Sequence, residues 1–250
     1  PSPARIGAGT ERVFEELQRL LPAARIRTFD ADATRRRGAH AEILESFRRR
    51  ETDILVGTQM VAKGLDFPGV EVVGVVSCDT VLHLPDLRAG ERTFQLLAQV
   101  AGRAGRTDGE GRVIFQTTLP GHPAVACAAR HDYRAFAEGE MESRRALGYP
   151  PFARMVRILV HGRHADRVRM RAEQVASALR GRIAKLPETE RPEVLGPSPA
   201  PIGRLEGRTR WHVLVKRWTG EDAWALLGPG AKGIASGVRS DVDVDPQNLL

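Results

Sequence analysis

The segment that decides the fold class is residues 54–68, ILVGTQMVAKGLDFP. Residues 53–57 are mostly apolar without alternation, as in a strand that is buried on both faces of a parallel sheet. Thr58, Gln59 and Lys63 follow at the carboxyl end of this strand, where open α/β sheets place their ligands. The segment therefore predicts a parallel α/β fold with a binding site at the sheet edge.

Strand and helix patterns alternate around this segment through residue 120, which favours one parallel sheet with flanking helices. Gly7 and Gly9 predict a tight turn before a helix that Thr10 caps and Pro22 stops. The expected elements are a helix at 10–21, a strand at 25–29, a helix at 38–50, strands at 53–57 and 71–77, a helix at 89–101 and a strand at 112–117.

The helix at 89–101 leads into residues 99–106, QVAGRAGR, which hold two closely spaced arginines, Arg103 and Arg106. Chemistry that needs such a pair is phosphoryl transfer, in which a guanidinium stabilises charge on the transferred phosphate. The alternative is a solvated basic helix end that complements the helix dipole. These eight residues alone leave both interpretations open.

Residues 57–76, GTQMVAKGLDFPGVEVVGVV, and 84–106, LPDLRAGERTFQLLAQVAGRAGR, together resemble motifs V and VI of superfamily 2 helicases. Over their full length, these two segments most resemble the PriA family of replication-restart helicases (primosomal protein N′). The resemblance runs from Gly7 to Pro246. It implies a RecA-like helicase lobe 2 over residues 1–120, a bridging helix over 121–149 and a small α+β C-terminal domain over 150–250.

The resemblance also implies a function: a 3′→5′ DNA helicase that recognises branched replication forks and starts primosome assembly. Its implied partners are forked and single-stranded DNA, single-strand-binding protein, other primosome proteins and the replicative helicase. Carried over by motif, the catalytic residues are Arg103 and Arg106, the residues on the ATP side are Gly64, Asp66, Gln99 and Gly102, and the strand contacts are Thr58, Gln59 and Lys63. Asp66 has a structural alternative, which is to organise its loop by binding backbone amides.

The 250 residues contain no Gly-x-x-x-x-Gly-Lys-Ser/Thr phosphate loop and no Asp-Glu pair after an apolar strand. We therefore expect this chain to be a fragment that shares ATP and Mg²⁺ with an upstream lobe and is inactive alone. Zinc is expected only in an upstream cysteine-rich module. The alternative function is a scaffold that binds forks without hydrolysing ATP.

The second half of the chain carries most of the positive charge. Residues 1–120 hold 17 Lys and Arg against 16 Asp and Glu, for a net +1, whereas residues 121–250 hold 21 against 15, for +6. This excess suits a polyanion-binding surface. The alternative is that the arginine-rich, lysine-poor composition reflects coding bias and not a binding function.

The C-terminal domain is expected to follow a β-α-β-β-α-β pattern, with strands at 154–160, 211–216 and 238–244 and a helix at 165–186. Residues 196–201, GPSPAP, predict an extended connection. At the following hairpin, Arg204, Arg208, Arg210 and Trp211 suit phosphate contacts and base stacking. The alternative places Trp211 in the core, with the arginines merely exposed.

Cys78 and Cys127 are too few and too distant for a zinc site or a disulfide framework, so both are expected to be reduced and buried, as in a cytoplasmic protein. The resemblance implies a bacterial location at forks on the nucleoid. Asp241, Asp243 and Asp245 alternate along the last strand, where an acid-decorated edge strand is commoner than a metal site. We predict no metal site in this chain.

Overall fold

The computed structural model describes residues 6–29, 39–58, 69–102, 111–218, 227–228, 231–235 and 237–249. The chain divides into two compact units. The first unit comprises Pro1–Cys78, Phe94–Pro120 and Ala128–His131, and the second comprises Asp79–Thr93, Gly121–Cys127 and Asp132–Leu250. None of the described helices combines the length and apolar composition that crossing a bilayer requires.

The elements up to residue 115 are α1 (Ile6–Leu20), β1 (Ile26–Phe29), α2 (Ala39–Arg48), β2 (Ile54–Gly57), β3 (Val72–Val75), α3 (Ala89–Ala101) and β4 (Arg112–Phe115). β1 pairs in parallel with β2, and β3 pairs in parallel with β4. A helix lies between the two strands of each pair, because parallel neighbours need a crossover connection. The parallel α/β class predicted for this region is confirmed, but the described strands form two separate two-stranded sheets rather than the one sheet that we predicted.

The start of α1 differs from the prediction. The helix begins at Ile6, so Gly7 and Gly9 lie inside it rather than in a turn, and Thr10 is a buried helical residue rather than a cap. A glycine inside a helix costs only about 1 kcal/mol, which the hydrogen bonds of an added turn offset.

Residues 121–149 form two helices instead of the single bridging helix that we predicted. These are α4 (Pro123–Ala129) and α5 (Tyr133–Leu147). The break occurs because Asp132 caps α5, its carboxylate accepting a hydrogen bond from the Ala135 amide at 2.9 Å. His131 just before it has a positive φ of 55°. α5 ends at Gly148, whose left-handed φ of 65° is typical of a helix C-cap.

The rest of the second unit is a five-stranded antiparallel sheet of order β6-β7-β5-β9-β8. Its elements are β5 (Arg154–Gly162), α6 (Ala165–Ile183), β6 (Glu193–Leu205), β7 (Arg208–Trp218), β8 (Gly233–Ala235) and β9 (Val238–Val244). α6 packs on one face of this sheet, and the buried core there includes Val156, Ile158, Val160, Val168, Leu179, Val213 and Val215. The α+β character predicted for this domain is confirmed.

Two predictions about the strands need correction. Residues 196–201 are not a separate connection, because they belong to β6, which runs on through two register shifts. Its prolines are tolerated because β6 is an edge strand and does not need every amide for pairing. β9 is not an edge strand, since it lies between β5 and β8. The second helix of the predicted pattern would fall at residues 219–226, outside the described ranges.

Candidate nucleic-acid interface

One face of the five-stranded sheet is apolar and packs on α6, and the other carries its charged residues beside a small apolar cluster that includes Met155 and Leu214. Alternation along β5 turns Val156, Ile158 and Val160 toward α6, whereas Arg157 and His161 lie on the opposite face. The register of β7 and β9 brings further charged residues to that second face, which we call the polar face. Its basic members are Arg157, His161, Arg208, Arg210, His212, Lys216 and Arg239, and its acidic members are Glu193, Asp241 and Asp243.

The centre of the polar face is a buried cluster of Arg157, Arg210 and His212, which are 5%, 8% and 9% exposed. Arg157 donates a hydrogen bond to the Asn248 carbonyl at 3.0 Å. Burial and then the repulsion of Arg210 lower the pKa of Arg157, against the opposing pull of Asp243 and Asp86. These buried guanidiniums can act on a ligand through their field, but direct contact requires the exposed residues around them.

His212 is uncharged at neutral pH in this setting. Burial, followed by the charges of Arg157 and Arg210, lowers the pKa of His212 below its ordinary 6.5. The cluster therefore carries two positive charges rather than three above that pH.

The hairpin between β6 and β7 projects Arg204 and Arg208 into solvent. Leu205 pairs with Arg208, which leaves only Glu206 and Gly207 in the turn. Both turn residues have positive φ, 49° and 75°, as a tight two-residue hairpin turn requires. The hairpin predicted at this position is present.

The structure separates the four hairpin residues that the sequence grouped together. Trp211 is partly buried and packs against the core beneath α6, and Arg210 is buried on the polar face. Arg204 lies on the α6 side of the sheet, because it pairs with Thr209, which is on the same side as Trp211. Arg208 lies on the polar face. Only Arg204 and Arg208 are exposed, so of the predicted DNA contacts here these two are the accessible ones. The DNA-contact role of all four stays a prediction.

A cavity of about 430 Å³ opens at the end of the sheet where β5 passes into α6. We call it the basic pocket; its charged or titratable lining residues are His161, Arg163, His164, Arg167, Arg208 and Arg239. Sequence reasoning singled out only Arg208 of these. A usable signal was present in residues 161–167, HGRHADR, where basic side chains flank a strand-to-helix turn.

Three predicted site residues of the first unit are described. Thr58 is half-buried directly after β2, Gln99 is half-buried in the last turns of α3, and Gly102 is exposed just beyond that helix. The Gly102 amide still donates to the Ala98 carbonyl at 3.1 Å. Because a helix C-terminus carries partial negative charge, an anionic ligand near it would need cationic side chains such as the arginines that follow in sequence.

The remaining predicted residues lie outside the described ranges. They are Gln59, Lys63, Gly64, Asp66, Arg103 and Arg106. Among the described residues, the nearest neighbours of a Cβ added at Gly102 would be the carbonyls of Ala98 and Gln99, at 3.6 and 3.7 Å.

The carboxylates that could suggest a metal have other roles here. Asp241 binds His161 and Arg239 at 2.9 and 2.8 Å, and Asp245 binds Arg154 at 3.2 Å and the Met155 amide at 3.0 Å. Within the described ranges, no three His, Cys, Asp or Glu side chains converge as metal ligands would. Both cysteines are buried and neither forms a disulfide bond, as the sequence predicted.

The two halves of the chain match two protein families. Residues 8–108 match the helicase conserved C-terminal domain, and residues 145–247 match the primosomal protein N C-terminal domain. The chain thus joins a RecA-like helicase lobe to a primosomal C-terminal domain, which places it in the class of primosomal helicase proteins.

Curated relatives narrow this class to one family. The chain is 45% identical over 210 residues to the replication restart protein PriA of Bacillus subtilis, 40% over 243 residues to that of Synechocystis and 38% over 251 residues to that of Treponema pallidum. These alignments cover 84%, 97% and 98% of the chain. The chain belongs to the PriA family and corresponds to the C-terminal part of its members.

The chain spans only part of these relatives. The alignments cover 26%, 29% and 36% of the length of the three proteins.

Proposed function

We propose that this chain supplies the second motor lobe and the C-terminal domain of an ATP-dependent 3′→5′ DNA helicase that acts in replication restart. The observation that carries the proposal is the succession of a helicase C-terminal match and a primosomal C-terminal match in one chain. The basic polar face of the second unit supports it, because it offers a polyanion a concentrated positive field.

In this proposal the first unit contributes half of an ATP site. Arg103 and Arg106 would stabilise charge on the γ-phosphate, and Gly64, Asp66, Gln99 and Gly102 would lie on the nucleotide side. ATP and Mg²⁺ would be held mainly by a phosphate-loop lobe in a longer protein, so the 250 residues alone would not hydrolyse ATP. ATP hydrolysis would supply the free energy for translocation.

DNA would be contacted by both units. Thr58, Gln59 and Lys63 would face the translocating strand, and the hairpin arginines Arg204 and Arg208 would contact phosphates of the fork. Recognition of a branched fork would precede primosome assembly, with single-strand-binding protein, other primosome proteins and the replicative helicase as partners.

The test is DNA-stimulated ATP hydrolysis by the full-length protein carrying Arg106→Ala or Arg103→Ala. Loss of an arginine that stabilises transition-state charge lowers kcat by about 10³-fold or more, so we expect this loss with forked-DNA affinity retained. Arg112→Ala, which removes an exposed arginine at the start of β4, is the matched control and should leave hydrolysis unchanged.

Two results would contradict the proposal. Absence of hydrolysis in the unmutated full-length protein would leave the second candidate, a scaffold that binds forks without a motor. An equal loss in Arg112→Ala would show that the arginine effect is not specific to Arg103 and Arg106.

A further inference from the structure

The basic pocket concentrates arginines that the domain does not neutralise. Some guanidiniums of this unit pair with carboxylates, as Arg169 does with Glu173 at 3.1 Å and Arg154 with Asp245 at 3.2 Å, and others bind backbone carbonyls, as Arg180 and Arg191 do. In contrast, Arg163, Arg167 and Arg208 form no ion pair with any residue that the structure describes. All three line the same cavity, and none of its described lining residues is acidic.

A fourth arginine is held in place at the pocket wall. Asp241 accepts hydrogen bonds from Arg239 Nε at 2.8 Å and from His161 Nε2 at 2.9 Å. Burial alone would raise the pKa of Asp241, but these two hydrogen bonds lower it, so the carboxylate stays ionised at neutral pH. Arg239 uses only Nε in this contact, which leaves its terminal nitrogens for another acceptor.

The close approach of two chain segments at Gly162 helps to shape the pocket. A Cβ at Gly162 would lie 3.2 Å from Val168 Cγ2, 3.3 Å from the Gly237 carbonyl and 3.5 Å from Val238 Cα. A side chain at this position would force Val168 or Gly237 to move by a few tenths of an ångström, so glycine favours this close approach. On the same wall Ile234 is 76% exposed and offers an apolar surface beside the guanidiniums.

This combination suits phosphate groups attached to sugars. Arginine binds phosphate oxygens through a planar fork of donors, and several arginines around one cavity match closely spaced negative charges. The first turn of α6 adds amides, because His164 at its N-cap makes no side-chain capping hydrogen bond. A cavity of about 430 Å³ exceeds a single phosphate and is large enough for a nucleotide unit, and Ile234 in its lining offers an apolar surface to a sugar.

We propose that the basic pocket binds backbone phosphates of a DNA strand next to the β6–β7 hairpin. Arg208 belongs to both the pocket and the hairpin, so one strand could pass continuously from the pocket to the hairpin tip. This inference rests on the proposed DNA-binding function and adds a phosphate site formed by Arg163, Arg167, Arg208 and Arg239.

The test compares single-stranded DNA binding by the 250-residue chain and its variants, using fluorescence anisotropy of a labelled oligonucleotide at several salt concentrations. Arg163→Gln with Arg167→Gln removes two pocket charges outside the hairpin. Arg169→Gln is the matched control, because Arg169 lies on the same helix, is exposed and is paired with Glu173. Circular dichroism and thermal unfolding of each variant check its folding.

We expect the double variant to bind DNA about 10-fold more weakly at 0.1 M salt and to lower the slope of log affinity against log salt by about 1.4, since each phosphate contact to a single strand contributes about 0.7. The control should differ from the unmutated chain by less than about 2-fold, since a paired surface charge contributes little. Inorganic phosphate at the oligonucleotide's phosphate concentration should not compete, because it lacks the neighbouring charges of a strand.

Three results would overturn the inference. Unchanged DNA affinity in the double variant, with weaker binding in Arg204→Gln, would reject the pocket and keep the hairpin interface. Equal competition by inorganic phosphate would assign the pocket to free phosphate. Binding of an acidic peptide that the double variant loses, while DNA binding is unchanged, would assign it to a protein partner. If neither the pocket variant nor Arg204→Gln weakens DNA binding, the proposed DNA-binding function of this domain fails as well.

Discussion

At the residue scale, His212 shows how a sheet can bury charge and still remain folded. The pKa of this imidazole is lowered first by burial and then by the charges of Arg157 and Arg210, so the ring stays neutral. Its Nδ1 is one of the buried side-chain atoms that have no hydrogen-bond partner among the described residues. The site therefore tolerates the neutral ring and opposes its protonation.

This arrangement predicts a pH dependence of stability. The pKa of His212 is lowered in the folded chain, so as the pH falls through 6.5 the unfolded chain takes up a proton that the folded chain does not. The free energy of unfolding should then decrease with falling pH, by at most about 1.4 kcal/mol per pH unit from this group. Urea unfolding of the chain at pH 7.5 and 5.5 should show this decrease, and His212→Asn should make it smaller. Identical decreases in both proteins would contradict the assignment.

At the element scale, α5 has one glycine in its interior and another at its C-cap, and the space and backbone conformation at the two positions differ. Gly139 lies within the helix, and an added Cβ there would meet nothing within 4 Å. Gly148 ends the helix at a φ of 65°, and a Cβ there would lie 2.6 Å from the Arg217 side chain. The same substitution should therefore have opposite effects at the two positions.

We predict that Gly139→Ala stabilises the chain by about 0.5–1 kcal/mol, because alanine favours the helix and restricts the unfolded chain. Gly148→Ala should destabilise it by about 1–2 kcal/mol, because alanine disfavours the left-handed conformation. Chemical unfolding of the two variants measures both effects, and each serves as the control for the other. A stabilising Gly148→Ala would show that the helix end rearranges.

Helices and strands were predictable where a single local signal dominated. The helix at Ala89–Ala101 follows from its apolar spacing, and Leu97 on its inner side is fully buried. The break at Asp132 was missed because a cap competes with a continuous apolar pattern, and the pattern alone does not show which one determines the structure. β6 was missed because its prolines exclude a central strand but not an edge strand, and edge position depends on the whole sheet.

The candidate site was predictable only in part for a similar reason. The arginines of the hairpin stand close together in sequence, but alternation sends Arg204 and Arg208 to different sides of the sheet. The basic pocket gathers residues of β5, α6, β7 and β9, so long-range strand pairing brings them together. Helicase motifs, by contrast, are local in sequence and could be recognised directly.

At the scale of the whole molecule, the units and the sequence families divide the chain differently. The helicase match covers residues 8–108, yet Asp79–Thr93 within that range belongs to the second unit. Arg144 of α5 holds this segment through Glu91 at 2.8 Å, with Glu140 also at 2.8 Å. Burial alone would lower the pKa of Arg144. The hydrogen bonds that its guanidinium donates to Glu91 and Glu140 have the larger combined effect and raise this pKa.

We predict that Arg144→Met lowers the free energy of unfolding by about 3 kcal/mol, because it leaves two half-buried carboxylates without their cation. Arg134→Ala on the same helix removes an exposed pair with Glu138 and should cost less than about 0.5 kcal/mol. Urea unfolding of both variants gives the comparison, and limited proteolysis should cut the Arg144→Met variant faster within residues 79–93. Equal stability of the two variants would contradict the role of Arg144.

The interleaving of the units has a consequence during protein synthesis. Residues 79–93 leave the ribosome well before the sheet that they join, since β7 ends at Trp218, 125 residues after Thr93. At about 5–20 residues per second this interval is roughly 6–25 s. For about the first half of it Glu91 lacks Arg144 and Leu87 lacks Met155, and until near its end Leu87 lacks Leu214, against which it later packs. The nascent chain must therefore keep the segment around Leu87 from misassembly until β7, which carries Leu214, has been made.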